Sequence, residues 1–401
     1  MVDPVVGPVL HPQALRRGGG RVRRPALGRR GEGRPAPGGG GGGASAAGGD
    51  LRGRGKREEG RVRGARVAQW LWGGAPLARV ARLPLVPLAA LYWGATRVRA
   101  AMYRAGWRHV ARLPFPTVAV GNLSVGGTGK TPLAAWIARY YAQRGRRPAI
   151  LLRGYGGDEP LVHQRLAPEA VVVADPDRVA GARAAQRRGA DLAVLDDAYQ
   201  LLGVARDLNI AVVSAESVGL SLWPLPAGPW REGSDALERA DLIVVTRKRA
   251  PLDAAVGVAG WLARRRRETP VCVAHLALSH LEGLRSGAAV APEALAGRRV
   301  LAAAGIADPV SFAAQLRATG ARVQLEAFQD HHAYGPGDVE RLARASAAGD
   351  YVVVTEKDAV KLRGRWPADA PEPLVAELAV RWDLNGAAVE RVLEGVLTRV
   401  V

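Results

Sequence analysis

Residues 121–131 read Gly121-Asn122-Leu123-Ser124-Val125-Gly126-Gly127-Thr128-Gly129-Lys130-Thr131. They follow the β-branched run Thr117–Val120 and precede Leu133–Arg144, whose length and polarity suit a helix. Strand, glycine-rich turn and helix in that order form the context of a phosphate-binding loop. Glycines let successive backbone N–H groups curl toward phosphate oxygens, and the helix N-terminus adds a favourable dipole. In such a loop Ser124, Val125, Gly126, Gly127, Thr128 and Gly129 wrap ATP phosphates. Lys130 reaches the outer phosphates, and the Thr131 hydroxyl ligates Mg²⁺. The strict pattern asks for glycine where this chain has Ser124, so the assignment rests on the whole context.

The alternation continues outward from the loop. Short apolar runs at Pro148–Leu152, Ala170–Val173, Leu192–Leu195, Ile210–Val213 and Leu242–Val245 are interleaved with helix-like segments such as Val179–Arg188. A second series follows, with Val300–Ala304, Ala321–Leu325 and Tyr351–Thr355 as strands and Val310–Thr319 and Asp338–Ala345 as helices. The pattern predicts an α/β fold of βαβ units around a doubly wound parallel sheet, in two lobes. The expected lobes are 117–260 and 261–401, with the boundary falling within 247–300.

Ligands of open parallel sheets sit beyond the carboxyl ends of the strands. Two acidic pairs occupy such places. Asp196-Asp197 ends the apolar strand ADLAVL (190–195), where a strand-end aspartate holds Mg²⁺ or its water. Asp158-Glu159 follows Pro148–Leu152 and the glycine-rich string RGYGGDEP. Both pairs are expected in one crevice with the loop. The string Phe328-Gln329-Asp330-His331-His332-Ala333-Tyr334 lacks a further ligand cluster for a metal site, so a histidine there is expected to tune proton transfer. Lys357 and Lys361 stand four apart and read as one helix face, in the simplest case a solvated one.

The chain has 401 residues and a net charge of +20. Its one cysteine, Cys272, excludes an intramolecular disulfide and a cysteine-rich zinc site. Residues 1–66 hold 15 Lys and Arg against 5 Asp and Glu, half of the net charge, together with 19 of the 50 glycines. Such a stretch cannot bury enough apolar surface to offset its ordering entropy. It reads as a disordered extension, or as the product of a misassigned start. No aromatic residues are interleaved for base stacking, so no nucleic-acid partner is expected. Residues 67–116 mix Trp70, Trp72, Leu77, Leu83, Leu91 and Trp93 with Arg79, Arg82, Arg97, Arg99 and Arg104. The longest apolar candidate for a span, Leu83–Thr96, is too short to cross a bilayer. The composition suits an amphipathic helix lying in a membrane interface, the alternative being a helix packed on its own domain.

VGNLSVGGTGKTP, RGYGGDEP, LDDAYQ, LPAGPWRE, FQDHHAY and VVVTEKDAVKL, in this order, resemble the tetraacyldisaccharide 4′-kinase family from about Leu83 to Leu362. The resemblance implies a P-loop NTPase-like lobe, a second, smaller Rossmann-like lobe and an N-terminal interfacial helix. It implies transfer of the ATP γ-phosphate to an acylated glucosamine disaccharide 1-phosphate in lipid A biosynthesis. The enzyme would sit at the cytoplasmic face of the bacterial inner membrane, attached peripherally or monotopically.

By the same resemblance Asp158 is the catalytic base, paired with His331. Thr131, Asp196, Asp197 and Glu232 hold magnesium, and Glu159, Gln200 and Arg231 are further active-site residues. The family string DDGFQH is replaced by Asp196-Asp197-Ala198-Tyr199-Gln200-Leu201, so its glycine and histidine are absent. Two other readings are a P-loop ATPase or GTPase switch and a basic nucleic-acid-binding protein. The first lacks a guanine-recognition string, for which Thr246-Arg247-Lys248-Arg249 is a poor substitute, and the second loses half of its charge with the extension.

Overall fold

Strands with no polar face need cover on both sides, and that need shapes the first half of the chain. The computed structural model describes residues 67–398 apart from 69, 155–156, 218–219 and 349–350. The extension 1–66 lies outside the described residues, as do Tyr155 and Gly156 of the RGYGGDEP string. β1 (Thr117–Asn122), β2 (Pro148–Leu152) and β4 (Leu192–Leu195) are buried along their full lengths. With β3 (Val171–Ala174), β5 (Leu208–Ser214) and β6 (Leu242–Arg247) they form the parallel order β6-β5-β1-β4-β2-β3.

The second half contains β7 (Val271–Gly283), β8 (Ala289–Val290), β9 (Arg299–Ala304), β10 (Arg322–Ala327), β11 (Tyr351–Thr355) and β12 (Leu374–Leu384). Here β10-β9-β11-β12 are parallel to one another. The sequence pattern missed β7 and β12, and these two long strands join the halves. The first residues of β7, Val271–His275, run parallel to β6, while Val273–Gly283 run antiparallel to β12. The described strands of the two halves therefore join in one sheet. Because β7 and β12 are antiparallel, the two parallel halves run in opposite directions. β6 leaves β7 at His275, and β11 ends level with Ala376, which pairs with Leu281. The stagger brings the carboxyl ends of the two sets face to face, with the middle of β7 and β12 as the floor between them.

The chain end returns to the first half, which corrects the expected extent of the second lobe. Val389, Leu393 and Val396 of the helix Gly386–Thr398 are buried in one core with Ile137, Tyr141 and Leu192. Tyr141 Oη donates to the Leu393 carbonyl at 2.9 Å.

At the other end, the helices Pro76–Arg82 and Val86–Arg104 are joined by a turn at Leu83–Leu85. Trp93 Nε1 donates to Asp235 Oδ1 at 3.0 Å, Trp72 Nε1 to the Pro226 carbonyl at 3.0 Å and Arg99 to the Gln200 carbonyl at 3.1 Å. Ala89 is the one fully buried residue of the longer helix, whereas Leu77, Val80, Leu83, Leu88, Leu91 and Val98 are exposed. Among the described residues no helix is long and apolar enough to cross a membrane.

Leu393 tests the placement of the C-terminal helix. Truncating a buried leucine in a packed core costs about 2–5 kcal/mol. Leu393→Ala should lower the unfolding free energy by that amount in urea titrations monitored by tryptophan fluorescence. A loss under about 1 kcal/mol, the range of exposed positions, would show that the helix is not part of this core.

Candidate active site

The loop after β1 is held by buried side chains, with Thr246 Oγ1 donating to the Thr128 carbonyl at 2.8 Å. Asn122 Nδ2 donates to the Ser124 carbonyl at 2.6 Å and to Thr128 Oγ1 at 2.9 Å, while its Oδ1 accepts from Lys130 Nζ at 3.1 Å. Gly129 begins the helix Lys130–Ala142 at φ 86°, a conformation that favours glycine. A Cβ there would also collide with Leu276 of β7. The turn after β6 grips the loop directly, and the second half reaches it through Asp308. Lys248 Nζ donates to the Gly127 carbonyl at 2.6 Å and pairs with Asp308 at 3.3 Å. The turn carrying Lys248 is fixed by Glu216, whose Oε1 accepts from the amides of Lys248, Arg249 and Ala250.

A cleft of about 440 Å³ opens between the facing strand ends. Gly126, Gly127, Thr128, Gly129, Lys130, Thr131, Glu159, Asp196, Asp197, Arg231 and His331 all line it. Lys248, Asp308 and Gln315 line it as well, and no motif singled them out. Asp196, at the end of β4, accepts from Thr131 Oγ1 at 3.3 Å, from His163 Nε2 at 2.8 Å and from the Asp197 amide at 2.8 Å. Burial pushes its carboxyl pKa up, but the His163 hydrogen bond, Lys130 and the amide outweigh that and hold it below the ordinary range. Asp197, in the left-handed region at φ 51°, faces Lys130 Nζ at 3.5 Å and Arg231 at 3.2 Å.

Asp158 is 3% exposed. His331 Nδ1 lies 3.0 Å from its Oδ2, and Lys361 Nζ 3.0 Å from the same oxygen. Burial again acts to raise the pKa; Lys361 and then His331 reverse the sign and keep the carboxyl below its usual value. Lys361 is therefore not on a solvated face. Its helix, Glu356–Leu362, is capped by the Thr355 hydroxyl and directs this lysine inward. His331 sits at φ 61°, and its amide donates to the Gly305 carbonyl at 3.1 Å. Asp158 and His331 thus come from opposite halves of the sheet. His332 is used differently, pairing with Asp338 at 2.9 Å and stacking on Phe328. Glu159 is raised, chiefly by burial.

Five expected site residues, Ser124, Val125, Asp158, Gln200 and Glu232, are not among those that line this cleft. Glu232 is buried, and both of its oxygens accept from Arg239 Nη2 at 2.9 Å. Gln200 also faces away, its Nε2 donating to the Asn122 carbonyl at 2.8 Å. Ser124 and Val125 anchor the loop instead of lining the cleft, Val125 donating to the Pro229 carbonyl at 2.8 Å and Ser124 bridging to Trp230. Among the described residues no group of three or more His, Cys, Asp and Glu is placed to hold a metal. The metal-compatible set is Thr131 with the two aspartates.

A family model described as tetraacyldisaccharide-1-P 4′-kinase matches residues 81–157 and 156–398. The chain is 39% identical over 324 residues to the tetraacyldisaccharide 4′-kinase of Pelobacter propionicus, covering 73% of this chain and 87% of that one. It is 41% identical over 313 residues to the Geobacter metallireducens protein of the same name, covering 70% and 89%. Among solved structures it is similar to LpxK from Aquifex aeolicus in complex with ATP, with a TM-score of 0.61 and 25% identity, covering 79% of this chain and 99% of that one.

Lys361→Met should raise the Asp158 pKa, because the largest opposing contribution to burial is removed. Carbon-13 NMR titration of the Asp158 carboxyl would read this directly. The group would then stay protonated over a wider acidic range. An unchanged or lower value would show that Lys361 does not control this carboxyl.

Proposed function

The chain belongs to the tetraacyldisaccharide 4′-kinase family and is a kinase of lipid A biosynthesis, and we propose that the cleft between Lys130 and Asp158 is where the ATP γ-phosphate passes to the 4′-hydroxyl of the tetraacylated disaccharide 1-phosphate. One observation carries the assignment of roles. A buried carboxylate, Asp158, paired with a lysine and with His331, stands directly behind the His331 and Glu159 wall of the cleft that the lysine-bearing phosphate loop lines. Phosphoryl transfer asks for positioning and charge neutralisation more than for covalent chemistry.

Lys130 and the loop amides would take the charge of the outer phosphates. Asp158 would accept the hydroxyl proton as the oxygen attacks phosphorus. His331 would hold the carboxylate oriented and exchange the proton with solvent, since its own side chain is partly exposed. The hydroxyl of Thr131 and the carboxylates of Asp196 and Asp197 are hard oxygen donors, which fit Mg²⁺. When bound there, the ion would supply Lewis-acid neutralisation of phosphate charge. Arg231 and Lys248 face the same space and add positive charge around the phosphates.

The acceptor is a lipid, and the helix Val86–Arg104 supports a membrane-facing role. Its exposed leucines have apolar surface to bury in an interface, and Arg97, Arg99 and Arg104 supply charge for anionic headgroups. The enzyme would attach peripherally or monotopically at the cytoplasmic face of the inner membrane.

Incubation with ATP, Mg²⁺ and the disaccharide 1-phosphate lipid should give a bis-phosphorylated product, and EDTA should abolish it. Asp158→Asn should lower kcat by about 10²–10⁴-fold, the contribution of a positioned general base, with ATP binding retained. Near-normal turnover of that variant would remove Asp158 from the role of base. The paired variant Leu83→Glu/Leu91→Glu should sediment less with anionic vesicles than the parent chain. High salt should release the parent only partly, because apolar burial is not screened. Equal sedimentation of both would place the lipid contact elsewhere.

A further inference from the structure

His163 belongs to none of the motifs, and its surroundings are unusual for a histidine. It lies in the helix Glu159–Leu166, four residues after Glu159, with no exposed surface. Its Nε2 is 2.8 Å from Asp196 Oδ2, and its Nδ1 has no hydrogen-bond partner among the described residues. A carboxylate oxygen accepts, so Nε2 carries a proton in this contact, and Nδ1 is left without a partner. A leucine would fill this space without an orphaned nitrogen. The contact with Asp196 is what an imidazole offers at this position and an aliphatic side chain does not.

The remaining contacts of Asp196 show what that hydrogen bond does. Oδ1 accepts from the Asp197 amide, while Oδ2 is shared between His163 and the Thr131 hydroxyl. Without the imidazole, Oδ2 would keep only the 3.3 Å contact to Thr131, and the carboxylate would be less firmly oriented about its Cβ–Cγ bond. Hydrogen-bond partners behind a ligating group orient it and are important to metal affinity.

We propose that His163 is a positioning residue for the divalent cation, orienting the Asp196 carboxylate so that it and Thr131 present oxygen atoms to a cation in the cleft. This rests on the nucleotide and metal reading given above and extends it to a residue outside the cleft. The helix that carries His163 is preceded directly by Asp158, so one short element sets both the base and the cation's carboxylate.

Mn²⁺ serves as the probe, its binding to the full chain followed by electron paramagnetic resonance in the presence of a non-hydrolysable ATP analogue. Met and Gln are close in size and differ in an N–H donor. His163→Met should weaken Mn²⁺ binding by about 10–100-fold, while affinity for the analogue in EDTA stays unchanged. His163→Gln should recover most of the loss. A His163→Met chain that binds Mn²⁺ as tightly as the parent, or a Gln variant no better than Met, would overturn the proposal. Failure of the parent chain itself to bind Mn²⁺ would remove the metal reading along with it. The parent also offers a test that needs no variant. Nitrogen-15 NMR of its imidazole should show an Nε2–H tautomer whose signal moves when Mg²⁺ is added with the analogue. An Nδ1–H tautomer would overturn the assignment.

Discussion

The register of β7 is the constraint on which the rest of this molecule depends. A 13-residue strand runs parallel to β6 along its first part and antiparallel to β12 along most of its length. Parallel sheets gather ligands at their carboxyl ends. Two such sheets running the same way would place those ends side by side. The antiparallel join and the stagger along β7 and β12 instead turn them toward each other. The phosphate loop after β1 and the His331 segment after β10 can then reach one substrate from opposite sides. Leu276, Ala376 and Leu378 from the shared strands form the floor of the cleft.

Within that geometry the chemistry is a matter of keeping buried carboxylates charged. Asp158 and Asp196 are almost without exposed surface, and burial alone would protonate them. Each is reversed by fixed partners: Lys361 and His331 for the first, His163 and Lys130 for the second. The partners of Asp158 both come from the other half of the sheet, so the base has its low pKa only where the halves meet. Glu356, also in the cleft wall, shows the contrary case. Burial and the nearby Glu377 push it to about 8, with Arg165 opposing.

What the sequence disclosed follows the range of each interaction. The loop 121–131, the nine shorter strand runs and the acidic pairs at strand ends are local patterns, and the structure places each at its expected type of element. β7 and β12 were hidden because their burial changes along their length as they pass from one half to the other, so neither a continuous apolar run nor a clean alternation marks them. Lys361 looked like a surface residue because helical spacing says nothing about what faces the helix. His163 had no signal at all, since its partner is 33 residues away in sequence. The string that carries Glu232 did not disclose that Arg239, only seven residues on, donates to its carboxylate.

The altered string at 196–201 is explained by the same contacts. Its turn is pinned by the backbone, the Asp196 amide donating to the Leu151 carbonyl and the Ala198 amide to the Val120 carbonyl, both at 3.0 Å. The left-handed residue is Asp197, so Ala198 needs no glycine. Tyr199 is buried behind the turn, its hydroxyl donating to the Ala236 carbonyl at 2.7 Å, with the Arg239 guanidinium over its ring. Glu232 holds that guanidinium, and Gly121 leaves room for the Tyr199 backbone at the end of β1. Leu201 packs with Leu113 and Phe115 in a separate core and does not line the cleft. The replacements therefore fall on the side of the turn that faces the protein interior, and the two carboxylates on its other side line the cleft.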